Sequence, residues 1–179
     1  GEWVVLRFGQ TARKQNNRSA PAKSTGLECD KFNTAALDYH LDCMFKRIMP
    51  SMEKMAKRSK VGLLIDSYEM GSQDWTYDMP AYFQKKRGYA LVTFLPALAH
   101  RVIESTEHTD RFLFDFKRTQ ADMFADRYYS HFQKRCKERG IITYTEPYGG
   151  NMMEELQVAQ RLDINMGEFW CAQTVLWAN

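Results

Sequence analysis

The sequence predicts an α/β protein whose parallel strands are joined by crossover helices. Three observations lead there. Short apolar runs recur, amphipathic stretches of helical length separate them, and each run ends in polar residues. Four such strands with three crossovers make either an incomplete α/β barrel or a small open sheet.

Each element has its own warrant. Trp3 to Phe8 (WVVLRF) is mostly apolar and β-branched, the pattern of a buried strand. Residues 9 to 30 form a long polar connection of the kind that usually serves function or stays disordered. Asn33 is a good N-cap. Behind it Leu37, Leu41, Met44, Phe45 and Ile48 recur at spacings of three and four, predicting a helix that Pro50 interrupts. Val61 to Ile65 is the second strand. Pro80 suits a first helical turn and Gly88 a C-terminal cap. Ser105 to Asp110 reads as a polar turn. A long helix then spans about Arg111 to Arg139, with Phe112, Phe116, Met123, Phe124, Tyr128, Phe132 and Cys136 as its buried stripe. Gly140 ends it, Ile141 to Thr145 is the third strand, and Asp163 to Met166 a short fourth. Trp3 begins in mid-strand fashion and Thr174 to Asn179 stops without a cap. Residues 1–179 therefore read as the internal part of one barrel domain lacking strands at both ends, poorly stable and inactive alone.

Composition removes several classes of function. The 179 residues are 44% hydrophobic and 26% charged, a globular balance with material for one core. A net charge of +3, with acids and bases interleaved, gives no nucleic-acid footprint. Cys29, Cys43, Cys136 and Cys171 form no Cys-x-x-Cys pair. No apolar run approaches the ~20 residues that span a bilayer. No nucleophile elbow, phosphate loop or dinucleotide fingerprint occurs. His40, His100, His108 and His131 fall in or beside helices rather than at strand ends.

The strand ends carry the functional signal. Phe8 leads to Gln10. Ile65 leads to Asp66, Tyr68 and Glu69, with Gln73 and Trp75 close behind. Thr145 leads to Glu146 and Tyr148, and Met166 to Glu168 and Trp170. In parallel α/β folds the carboxyl ends of strands converge on one face, where sites are built. Three glutamates from neighbouring strands would point into one bowl. Splitting a glycosidic bond needs one carboxyl group to protonate the leaving oxygen and another as nucleophile or activator of water. Tyr68, Trp75, Tyr148 and Trp170 offer flat faces for sugar C–H surfaces. Gln10, Gln73, Asn151 and Asp66 offer hydrogen bonds to hydroxyls.

Six segments then match something known: GLECDK (26–31), LLIDSYEMGSQDWTYDMP (63–80), KKRGY (85–89), FLPAL (94–98), EPYGG (146–150) and DINMGEFW (163–170). Together they resemble the catalytic domain of glycoside hydrolase family 106, the α-L-rhamnosidases. The resemblance implies a (β/α)8 TIM-type barrel inside a longer chain, removal of terminal α-L-rhamnose with inversion, and calcium for sugar binding. It also implies that Glu69 of the Asp-x-x-Glu element is the general acid. Two residues compete as base. An inverting pair needs ~6.5–9.5 Å between carboxyl groups, and strands lie ~4.8 Å apart. Glu168, two strands from Glu69, therefore fits better than Glu146, which becomes a sugar or calcium ligand unless the order is reversed. Asp66, Glu28 and Asp30 have suitable oxygens for calcium, although a carboxylate beside Lys31 is more often an ion pair. The partner is a rhamnose-containing oligosaccharide or glycoside, together with the rest of the parent chain. The basic run Arg13 to Arg18 departs from the family pattern and bears on sugar preference. Two other readings stay open: a retaining, galactosidase-like glycosidase, and a non-catalytic sugar-binding fragment.

Overall fold

The computed structural model describes residues 1–18, 20–149 and 152–168. Strands β1 (Gly62–Ile65), β2 (Ile142–Thr145) and β3 (Ile164–Asn165) form a parallel sheet in the order β1-β2-β3. Ile65 stands opposite Thr145, and Thr145 opposite Asn165. Three of the four expected strands are thus present, in chain order.

Trp3 to Phe8 is the exception. It forms no strand, and Trp3 and Val5 are 90% and 89% exposed. A β-branched run becomes a strand only beside a neighbour that shares its ladder of hydrogen bonds, and no described residue pairs with it.

Helix α1 (Thr34–Ala56) begins where expected, with the Asn33 side chain accepting from the Ala35 N–H at 3.0 Å. It runs through Pro50 instead of breaking there. A proline removes only its own N–H from the ladder, and Met52, buried beyond it, holds the last turns against the core. Helix α2 (Met79–Arg87) carries Pro80 in its first turn. Gly88, at φ +86°, closes it with its N–H on the Gln84 carbonyl at 2.9 Å. A 3-10 helix spans Leu91–Ala99.

Helix α3 (Thr106–Met123) starts earlier than its apolar stripe indicates. Ser105 is its N-cap, accepting from the His108 N–H at 3.1 Å, so the polar residues after it are a first turn. A π-helical turn (Phe124–Ser130) links α3 to α4 (His131–Lys137). A π turn holds an extra residue and rotates the helix beyond it. Phe112, Phe116, Met123 and Phe124 are buried as the spacing predicts. Tyr129 then replaces Tyr128 in the core before the stripe resumes at Phe132 and Cys136. Helix α5 (Glu155–Ala159) is too short to leave a periodic signal.

The sheet has two unlike faces. Leu63, Ile65, Thr143 and Thr145 turn toward the helices, with both threonines fully buried. Gly62, Leu64, Tyr144 and Ile164 lie on the opposite face. There a Cβ at Gly62 would overlap the Tyr144 ring, and Leu64 is 48% exposed. On the helical side Arg127, from the π turn, donates to both Asp78 oxygens at 2.8 and 2.7 Å and to the Phe32 carbonyl at 2.8 Å. That one guanidinium ties the entry of α1 and the start of α2 to the long helix.

Candidate active site

Register builds the site. Beyond the last ladder pair, Ile65 and Thr145, the next residues on the open face are Asp66 and Glu146. The Glu146 N–H still donates to the Ile65 carbonyl at 3.2 Å, so both backbones remain side by side as the strands end. The ladder then resumes once. The Tyr68 N–H donates to the Tyr148 carbonyl at 3.0 Å, and the Tyr148 N–H to the Glu146 carbonyl at 2.8 Å.

The carboxylates are brought together with little to separate their charge. Asp66 accepts from the Ser67 N–H at 2.8 Å and hydrogen-bonds Glu146. That contact shifts the two in opposite directions. The Ser67 amide and then Glu146 hold Asp66 below the usual carboxylate range, while the bond to Asp66 pushes Glu146 above it. The Tyr148 hydroxyl donates to Glu146 Oε2 at 3.1 Å and also contacts Glu168. Desolvation, then these two carboxylates, push that phenol up to about 12. Glu168 adds a like charge that raises Glu146 further. The structure therefore joins Asp66, Glu146, Tyr148 and Glu168 in one hydrogen-bonded chain. No described lysine or arginine pairs with Asp66, Glu69 or Glu146.

The remaining expected residues fall differently. Glu69 is exposed on the loop after β1, and no described residue hydrogen-bonds or ion-pairs with it. Tyr68, expected to face sugar, is only 8% exposed. Its ring packs edge-on against Phe124 with centroids 4.9 Å apart, so it faces the core. The Gln73 side chain serves the protein. It accepts from the Lys31 N–H at 2.9 Å and donates to Asp30 and to the Trp75 carbonyl. Trp75 is half-buried against Phe116. Gln10 is exposed in the unpaired N-terminal stretch. Trp170 and Asn151 lie outside the described residues.

The three calcium candidates do not converge. Asp30 accepts from the Phe32 N–H at 2.8 Å, the Thr76 hydroxyl at 2.6 Å and Gln73. Glu28 forms an ion pair with Lys31, which is 6% exposed and lies 5.3 Å from the Tyr128 ring centroid. Asp66 is bonded to Glu146. Among the described residues no three His, Cys, Asp or Glu side chains gather as a metal site. These donors do not fit one calcium ion.

Two features of the site leave little trace in the sequence. Arg13 donates to the Ser72 carbonyl, joining the basic loop to the loop after β1. Tyr129, swung inward by the π turn, places its hydroxyl against Thr145, immediately under Glu146. A lone arginine and a one-residue shift of register leave no periodic signature.

Comparison with known proteins identifies the family. A family model described as alpha-L-rhamnosidase, of glycoside hydrolase family 106, matches residues 1–177. A Formosa agariphila protein named for a beta-glucuronidase is 42% identical over 170 residues, which cover 95% of this chain and 14% of that protein. The structure of a rhamnosidase from Novosphingobium sp. PP1Y superposes with a TM-score of 0.69 at 29% identity, over 83% of this chain and 15% of that one. The chain thus spans about a seventh of the length of these relatives. Among the described residues no helix is long and apolar enough to cross a membrane.

Proposed function

The chain belongs to glycoside hydrolase family 106, the alpha-L-rhamnosidases; from that premise we propose that it carries the acid and base of an inverting hydrolysis of terminal α-L-rhamnose, within a (β/α) barrel that its three strands help to form. The observation that supports this most is the chain of hydrogen bonds from Asp66 through Glu146 and Tyr148 to Glu168, at the carboxyl ends of parallel strands.

Glu69 protonates the glycosidic oxygen as the bond to the anomeric carbon breaks. Glu168 takes a proton from the water that attacks the opposite face of the sugar. Glu146 suits neither role as well, since its carboxyl group is already hydrogen-bonded to Asp66. The direct contact between Asp66 and Glu146 also excludes those two as the inverting pair, which must admit a water at ~6.5–9.5 Å. Asp66 and Glu146 instead bind sugar hydroxyls, as acceptor and donor. Trp75, Tyr148 and Trp170 supply apolar contact to the ring, and Gln10 a hydrogen bond to a hydroxyl.

Glu69→Gln in the intact enzyme lowers turnover of a rhamnosyl disaccharide at least ~10²-fold with the thermal midpoint unchanged. Wild-type turnover by that variant refutes the acid assignment. A second reading comes from the Formosa agariphila relative, whose name assigns it to glucuronides. Parallel assays of aryl rhamnoside and aryl glucuronide separate the two sugars, and the anomeric configuration of the first product separates inversion from retention.

A further inference from the structure

We infer that Gly149 is a positioning residue, and that its missing side chain sets where the Tyr68–Glu69 peptide sits and so where Glu69 presents its proton. The inference rests on the reading of Glu69 as general acid. It begins from two facts about one residue. Gly149 adopts φ +93°, a conformation that L side chains rarely take. A Cβ there would lie 2.5 Å from the Tyr68 carbonyl oxygen, 3.1 Å from its carbon and 3.2 Å from its nitrogen.

Other glycines separate these two effects. Gly88 has φ +86° and Gly140 φ +67°, yet a Cβ at either meets nothing within 4 Å. They are glycine for their backbone angle alone. At Gly149 the obstacle is backbone, so no side chain can swing aside to make room. The Tyr68 ring cannot follow freely either, being buried against Phe124, while its N–H is held by the Tyr148 carbonyl at 3.0 Å. A methyl group at 149 must therefore push the carbonyl end of Tyr68, the atom group bonded to Glu69. Displacing the oxygen to ordinary contact takes about 1 Å, and a misplacement of that size at a reacting group is worth on the order of 10²-fold in rate.

The test is the dependence of rate on leaving group, measured in the intact enzyme. Dinitrophenolate departs without protonation, whereas a sugar alkoxide does not. Gly149→Ala is expected to slow rhamnosyl disaccharide hydrolysis roughly 30- to 100-fold and dinitrophenyl rhamnoside hydrolysis less than about threefold. Glu69→Gln, run in parallel, shows the same bias more strongly. Gly88→Ala, which carries the same backbone strain, shows none. Equal losses on both substrates for Gly149→Ala, or wild-type rates on both, overturn the positioning role while the Glu69 bias leaves the acid assignment standing. Absence of the bias in Glu69→Gln removes the acid assignment and this inference with it. Should Gly149→Ala fail to fold, amide exchange in the unmodified enzyme decides. A protected Tyr68 N–H supports a Tyr68 backbone held fixed beside Gly149, and exchange at the rate of an exposed loop amide overturns the positioning role.

Discussion

On the helical side of the molecule Asp78 meets Arg127 and Asp122 meets Arg87, whereas at the strand ends Asp66 meets Glu146. The first region pairs each acid with a base, half-buried and bidentate around Arg127, and the Asp78 carboxyl is held ionised. The second sets acid against acid, with a tyrosine between two of them, and one carboxyl group retains its proton above the usual range. One element lies against both regions, since the π turn that delivers Arg127 also delivers Tyr129 beneath Thr145. The difference teaches which residues serve the fold. Opposite charges in contact stabilise; like charges in contact do not, and the strand end that brings them together is the place the proposed function gives to chemistry.

Three experiments sharpen that contrast. The largest effect is expected from Arg127→Ala. It strands Asp78 without its partner, frees the Phe32 carbonyl and removes the guanidinium 4.8 Å from the Tyr82 ring. With side chains 20% and 26% exposed the loss is about 2–3 kcal/mol, below that of a fully buried pair, and a thermal midpoint lower by about 5 °C measures it. A midpoint unchanged by this substitution breaks the claim that the cluster serves stability.

Next in size is the response to pH, where the two regions have opposite signs. Hydrogen bonding to Arg127 holds Asp78 below its ordinary 3.8. The unfolded chain binds that proton more readily, so the contribution is full above about pH 4 and is lost as pH falls through the folded value. Glu146 is raised above its ordinary 4.5. Its contribution is full below that value and is lost as pH rises through the folded one. Melting curves across pH 3 to 7 therefore flatten at the acid end in Asp78→Asn and toward neutrality in Glu146→Gln. A reversed pattern contradicts the assigned directions. The smallest effect belongs to Asp66→Asn, which relieves the like charge. The midpoint stays level or rises by about a degree, while the Glu146 carboxyl, followed by carbon NMR, returns toward its ordinary range.

Much of this molecule is legible in the chain. The caps at Asn33 and Gly88, the apolar runs ending at Ile65 and Thr145, and the acids that follow them depend on neighbours in sequence, which periodicity and turn chemistry report directly. Where the reading fails, the reason is a distant partner. Trp3 to Phe8 has every local feature of a strand and lacks a ladder. Pro50 sits inside a helix because Met52 is anchored to a core that the helix alone does not contain. Tyr68 looks like a sugar platform, but Phe124, distant in sequence, takes its ring into the core.

By itself, the order of residues determined the parallel α/β class and the family to which the chain belongs, because each is written in short segments whose chemistry travels with them. Tertiary structure alone decided that Asp66 and Glu146 hydrogen-bond each other, that Gln73 is bound to the GLECDK loop, and that Gly149 lies against Tyr68. Hydrogen bonds between strands and the exclusion of one backbone by another act across dozens of residues. No local pattern can encode them before the chain has closed on itself.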